Sequence, residues 1–187
     1  MKKLSLLITF VFSIISFSFA EIPIKFFKEE IHINLKKQSI QVSGLYFFEN
    51  KSNFEIDVTM TYAFPIDSSH FYPDTIKVLA PESPLDFVRK RNWVEWTIHF
   101  EPSGIETVFV EYKQIIEEKC ATYILSTTKL WKEKIDIANF IIEAPVEFKE
   151  MNISIRPDSV KIKGDKQLYY ITRRNFVPES DLKISWQ

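Results

Sequence analysis

The sequence predicts an all-β protein, an antiparallel β-sandwich with at most one short helix, and three observations predict it. Apolar and polar side chains alternate with period two from Glu30 to the end of the chain, which is how a strand with one buried face is written. Turn-forming clusters separate these runs at short intervals. No stretch of four helical turns carries a 3.6-residue apolar stripe.

Taken in order, Ile31, Ile33 and Leu35 form the first stripe and Ile40, Val42, Tyr46 and Phe48 the second, with Lys36-Lys37-Gln38 as the turn between them. Asn50 to Asn53 is the next turn, where Asn50 is expected to take left-handed geometry in a glycine-free setting. Phe54, Ile56, Val58, Met60, Tyr62 and Phe64 give the clearest strand, and Pro65, which lacks an N–H, stops its ladder. The stretch from Asp67 to Pro84 is rich in Pro, Asp and Ser and is the best candidate boundary, yet Phe71, Tyr72, Ile76, Val78 and Leu79 predict that it packs down. Arg89-Lys90-Arg91 reads as a solvated turn leading to Val94, Trp96, Ile98 and Phe100. After Pro102-Ser103-Gly104 come Val108, Val110 and Tyr112, then Ala121, Tyr123 and Leu125. Thr127 to Lys134 is the one helix-like piece, with Thr128 as its cap and Trp131 as an inward anchor. Phe140 and Ile142, then Met151, Ile153 and Ile155, then Val160 and Ile162, and finally Leu182, Ile184 and Trp186 continue the inward code. The expected organisation is one sandwich-type domain over 21–187, its two layers contributed by the two halves of the chain.

Residues 1–20 read as a signal peptide: Lys2 and Lys3, an apolar run from Leu4 to Phe19, and Ser18-Phe19-Ala20 where a signal peptidase cuts. The expected protein is therefore exported to the periplasm or beyond, without an integral membrane segment after cleavage. Losing Lys2 and Lys3 takes 24 basic residues to 22 against 25 acidic ones, a net charge of −3, which offers nucleic acid no electrostatic footprint. Cys120 is the only cysteine, so no intramolecular disulfide forms, and a buried, inert thiol is expected. The three glycines compare with about thirteen at the usual ~7%, which leaves the turns to Asn, Asp, Ser and Pro.

No catalytic, cofactor or metal site is legible. His32 and His99 fall on polar phases and are expected to face solvent. Asp67, His70 and Asp74 share a loop, whose composition explains them without a cation. No G-x-S-x-G turn accompanies a Ser-His-Asp set, and Glu95, Glu111, Glu117 and Glu118 lie on or near strands without the pairing that would mark a glycosidase. Trp93, Phe109 and Tyr169 take the phase opposite to their strands' apolar stripes. They are the candidate interaction residues, for a protein partner or, as stacking platforms, for a sugar. A transmembrane barrel shares the alternating code but demands even strands of roughly ten residues, which the proline-interrupted series lacks.

Two segments carry a resemblance. Val42, Tyr46, Phe48, Asn50, Ser52, Ile56 and Val58, ending in Ala63-Phe64-Pro65, form one. Tyr123-Ile124-Leu125-Ser126-Thr127-Thr128, followed by Trp131 and Ile135, form the other. Together they resemble exported bacterial proteins of the domain of unknown function 4424 family, and the first is loosely similar to the vault/inter-alpha-trypsin type β-domain. Thr128 stands where the family pattern has Gly, and Glu133-Lys134 where it has Gly-Pro. The resemblance implies an exported β-rich protein and carries over no catalytic residue. The function expected is a non-enzymatic envelope protein acting by protein contact, with a carbohydrate-binding module and a secreted hydrolase as alternatives.

Overall fold

The computed structural model describes residues 23–81, 83–131 and 133–187, with the side chains of Lys129, Leu130 and Trp131 outside that description. The signal-peptide reading of residues 1–20 and the inward anchor expected at Trp131 both lie outside the described residues.

Strands β1 (Ile24–Lys36) and β2 (Ser39–Asn50) form a long antiparallel hairpin, and β3 (Ile56–Ala63) follows the turn at Asn50. Next come β4 (Thr75–Ala80), β5 (Ser83–Pro84), β6 (Val88–Arg89), β7 (Trp93–Phe100), β8 (Ile105–Ile115) and β9 (Cys120–Tyr123). A 3₁₀ turn, Ser126–Trp131, leads to β10 (Ile135–Pro145), β11 (Asn152–Ile153), β12 (Ser159–Lys163), β13 (Lys166–Phe176) and β14 (Leu182–Ser185).

The all-β expectation holds, and the layering is sheet on sheet. One eight-stranded sheet runs β12-β13-β10-β1-β2-β8-β4-β5, and two three-stranded sheets, β3-β7-β6 and β11-β14-β9, lie over its inner face. Aromatic contacts bridge the layers: Phe48 to Phe100 at 6.5 Å between ring centroids, Tyr62 to Tyr112 at 5.9 Å and Tyr123 to Phe140 at 6.4 Å. The halves of the chain do not own separate layers, contrary to expectation. Both halves contribute to the large sheet, and β3 and β7 from the first half share the covering layer with β9 and β14 from the second. The cause is the parallel pairing of β1 with β10: parallel neighbours need a long crossover, and the chain between β2 and β10 builds much of the second layer on its way.

Local chemistry corrects several turns. Asn50 is not left-handed; among the described residues the positive-φ positions are Ser103, Glu150, Asn175 and Gly164. Fully buried at the end of β2, it works through its amide instead. Nδ2 donates to Phe54 O (2.8 Å) and Glu101 O (2.9 Å), while Oδ1 accepts from Ser52 N (2.9 Å) and Ser52 Oγ (2.7 Å). Asn50→Ala strands these partners and should cost about 1–3 kcal/mol in urea denaturation; a change within ~0.5 kcal/mol is what an indifferent surface position gives.

Thr128 is not the cap of the 3₁₀ turn, because its hydroxyl bonds back to Leu125 O at 2.6 Å. The cap is Asp181, distant in sequence, whose Oδ1 accepts from Leu125 N (2.9 Å) and Ser126 N (2.8 Å). Val160 and Ile162, expected inside, are 52% and 76% exposed, since β12 is the outermost strand of the large sheet and nothing among the described residues covers it. Cys120 is half-buried, and burial together with the nearby Glu118 carboxylate raises its thiol pKa, which keeps the sulfur protonated and unreactive.

Candidate functional site

Two places in this framework combine shape with chemistry: the outer face of the large sheet and a cavity between the layers. On β2, β8 and β10 the even-numbered residues face inward and the odd-numbered outward, with the opposite parity on β1 from Glu29 onward. Register then aligns outward side chains across the sheet. Thr172, Asn139, Glu30, Leu45 and Phe109 form one row, and Tyr170, Ile141, His32, Ser43 and Glu111 the next. Between them lies a groove of about 420 Å³ whose apolar sides are Leu45 and Phe109 toward one edge and Ile141 and Tyr170 toward the other.

The expected interaction residues do not converge. Phe109 does line this groove, half-buried on the outer face. Trp93 stands on the outer phase of β7 in the covering layer, so the two rings occupy opposite outsides of the sandwich and cannot form one stacking platform. The Trp93 indole N–H points at Glu95 Oε2 (3.4 Å). Tyr169 is a correction: it pairs with Ile142 and shares the phase of buried Ile171, so it faces inward, and its hydroxyl donates to Gln167 Oε1 at 2.7 Å. The outward ring of β13 is Tyr170, with Lys161 Nζ at 5.3 Å from its centroid. β13 lacks the clean alternation that fixes phase, because its residues are mostly half-buried on both sides.

His32, on the groove floor, lies 3.8 Å from a Glu143 carboxylate that also pairs with Lys166 and accepts from Asn34. Among the described residues no hydroxyl or thiol hydrogen-bonds His32, so no nucleophile–base pair is assembled. His99 is exposed as expected, but it sits among Glu55, Asp57 and Glu101, and the hydrogen bond its Nδ1 makes to the Asp57 carboxylate (2.8 Å) raises its pKa. Asp67 uses one oxygen to order its own loop, accepting from Ser69 N and His70 N and meeting His70 Nδ1 at 2.9 Å.

The inner cavity was not foreseen. It measures about 70 Å³ and is lined by Phe26, Glu29, Tyr46, Phe48, Tyr62, Trp96 and Tyr123, with Thr61, Thr127 and Thr128 at its more exposed end. Glu29 reaches it because it shares the inward phase of Ile31, Ile33 and Leu35, and a bulge between Phe26 and Lys28 resets the phase of β1 so that Phe26 points inward as well, with Glu29 directly opposite Tyr46. Tyr46 is the hub of three buried hydroxyls, 3.0 Å from Tyr62 and 2.9 Å from Tyr123. Gly44 makes room for it: a Cβ there would fall 2.6 Å from Tyr46 Cζ.

Glu29 is 1% exposed and makes no hydrogen bond among the described residues; its Oε1 and Trp96 Nε1 are both buried without a partner. Burial alone pushes its pKa from 4.5 to about 8, because an ion loses its hydration there and finds no opposite charge. Burial also raises the pKa of Tyr46, Tyr62 and Tyr123, with the Glu29 charge adding to each. The available signal was a carboxylate on the apolar phase, two residues before Ile31 and two after Phe27.

The chain matches no protein-family model and no curated protein. Among solved structures it is similar to a protein of Legionella pneumophila provisionally named as nutrient-binding, with a TM-score of 0.70 and 17% identity over 89% of this chain and 67% of that one. It is also similar to an M1 zinc metallopeptidase from Deinococcus radiodurans (TM-score 0.58, 8% identity) and to a two-domain M1 zinc metallopeptidase variant bound to L-arginine (0.59, 8%). In both cases 87% of this chain spans 42% of the peptidase. At these identities the likeness shows the fold alone. Histidines at 32, 70 and 99 give this chain no H-E-x-x-H pair. What the comparisons establish is an all-β fold that solved proteins carry within longer chains.

Proposed function

We propose that the protein is an exported, non-catalytic β-protein of the bacterial envelope that works by protein contact, and that the contact surface is the outer face of the large sheet. The carrying observation is the groove in which Leu45, Phe109, Ile141 and Tyr170 are half-exposed together amid Glu30, His32, Asn139 and Thr172. A mixed aliphatic and aromatic patch with a polar rim is the usual make-up of a protein interface. Stacking on a sugar wants a strip of exposed rings, and here Trp93 lies on the other layer and Tyr169 faces inward. The solved neighbours support the reading, since the shared fold fills only 67% or 42% of their chains and so occurs joined to further structure. The signal-like residues 1–20 and the resemblance to the 4424 family are the grounds for the exported part.

Photo-crosslinking in the source bacterium tests this. A benzoylphenylalanine at Phe109 should capture a defined protein that Tyr170→Glu abolishes, while the same probe at Thr97, exposed on the covering layer, should not capture it. Identical capture from both faces, or none at Phe109 in exported protein, overturns the proposal.

A further inference from the structure

We propose that the interlayer cavity is a binding site for a small organic ammonium that also carries a hydrogen-bond acceptor, with Glu29 as counter-ion and Trp96 Nε1–H as donor; ethanolamine is the simplest such ligand. The site is separate from the outer face and stands whether or not that face docks a partner.

Of the four buried side-chain nitrogen and oxygen atoms without a partner among the described residues, two line this one cavity: an acceptor, Glu29 Oε1, and a donor, Trp96 Nε1. Their complement is a molecule presenting one donor and one acceptor. An apolar guest would leave both unsatisfied, and an anion would meet the carboxylate. The remaining walls favour a cation of organic kind. Rings of Phe26, Phe48, Tyr46, Tyr62 and Tyr123 surround the space, and aromatic faces attract an ammonium, most strongly away from water. A bare Ca²⁺ or Mg²⁺ is a poor fit, because such ions take about six oxygen ligands and the closed part of the cavity supplies one carboxylate and three tyrosine hydroxyls already bonded to one another, with the threonines only at the exposed end. Those hydroxyls keep lone pairs free for the other protons of an ammonium. The volume, about 70 Å³, is roughly half the ~150 Å³ that accepts benzene in an engineered apolar cavity. It suits about three heavy atoms on that scale, so the amino end of ethanolamine or of a longer guest fits inside and the remainder emerges past Thr127 and Thr128.

The charge logic gives the binding a signature. The titratable groups facing Glu29 are Tyr46 on β2, Tyr62 on β3 and Tyr123 on β9, all held neutral by raised pKa values; β10 presents Ala138 beside it and β7 presents Trp96. Glu29, with a pKa near 8, is mostly protonated at neutral pH and must release that proton to hold a cation. Affinity for an ammonium should therefore rise about tenfold per pH unit below ~8, with proton release on binding.

Isothermal titration of the full mature chain with ethanolamine, ethylene glycol and glycolate tests this without any variant. Ethanolamine should bind, more tightly at pH 7.5 than at pH 6 and with buffer-dependent proton release, while the neutral and anionic isosteres should not. Glu29→Gln, of the same shape, should weaken ethanolamine at least tenfold, and Trp96→Phe should weaken it less while near-UV circular dichroism stays native. Equal binding of ethylene glycol, affinity that ignores pH, or no heat at millimolar ethanolamine overturns the proposal and leaves the cavity to ordered water alone.

Discussion

Glu29→Gln is expected to be more stable than the wild-type chain at pH 8.5 and no more stable at pH 4. Burial raises the folded-state pKa of Glu29 to about 8 from an ordinary 4.5, so folding takes up a proton between those values. The carboxyl group therefore favours the folded state most below pH 4.5, and that advantage drains away as pH rises from 4.5 to about 8. A shift of this size corresponds to about 5 kcal/mol once the group must ionise in place, with about 3 kcal/mol of it felt by pH 7. With Glu29 only 1% exposed, solvent screening offers little relief. Set against the ~5–15 kcal/mol that holds a domain together, the effect is large. Urea denaturation of both proteins at pH 4, 7 and 8.5 measures it as a widening gap in favour of the variant. Parallel pH profiles would mean that Glu29 is paired or hydrated in solution.

A natural sequence that keeps such a group accepts a destabilised native state at neutral pH, and this is the pattern of a site and not of a core. Phe27, Ile31 and Ile33 show what ordinary occupants of that strand look like. The same position also marks where sequence reading stops. Period two located β2, β3, β7, β8 and β14 because each has one face wholly in the core, so that Val42, Val58, Val94, Val110 and Leu182 are buried and their neighbours are not. It could not reveal the bulge at Phe26/Lys28, which changes the phase by one residue and turns Phe26 into the cavity beside Glu29. A bulge is decided by pairing across strands, and pairing partners distant in the chain leave no local mark.

The same limitation explains the other misses. Asp181 caps the 3₁₀ turn from fifty-five residues beyond Ser126, and β1 pairs in parallel with β10, about a hundred residues further along the chain, within the large sheet. Val160 and Ile162 look like core residues because they alternate with Lys161 and Lys163, but alternation specifies only that a strand has two faces. Whether either face is covered depends on its place in the sheet, and β12 is at the edge. The cavity's polar atoms were individually visible as Glu29, Tyr46, Tyr62, Trp96 and Tyr123; only the fold brings five strands' worth of them to one point.

Trp186→Ala is expected to lower stability by about 3–5 kcal/mol, the usual cost of truncating a buried large aromatic. Trp186 is 6% exposed and stacks on Phe148 with ring centroids 4.7 Å apart and planes within 4°. Its backbone N–H donates to Lys119 O (3.1 Å), and Gln187 and Lys149 exchange backbone hydrogen bonds at 2.8 and 3.2 Å. The ring thus fastens the last strand over the end of the large sheet, where Leu182 and Ile184 are also buried. Removing it opens a void between Phe148 and the β9–β14 pair that neighbouring chains can fill only in part, so the transfer loss and the cavity loss add. A transmembrane barrel would make the opposite forecast, since an aromatic near the end of its last strand belongs to a girdle facing lipid and its loss would leave the packing intact. Thermal melting of the variant in detergent-free buffer separates them. A shift of several degrees or more supports the packed sandwich end, whereas an unchanged melt would place Trp186 on the surface and contradict its stack on Phe148.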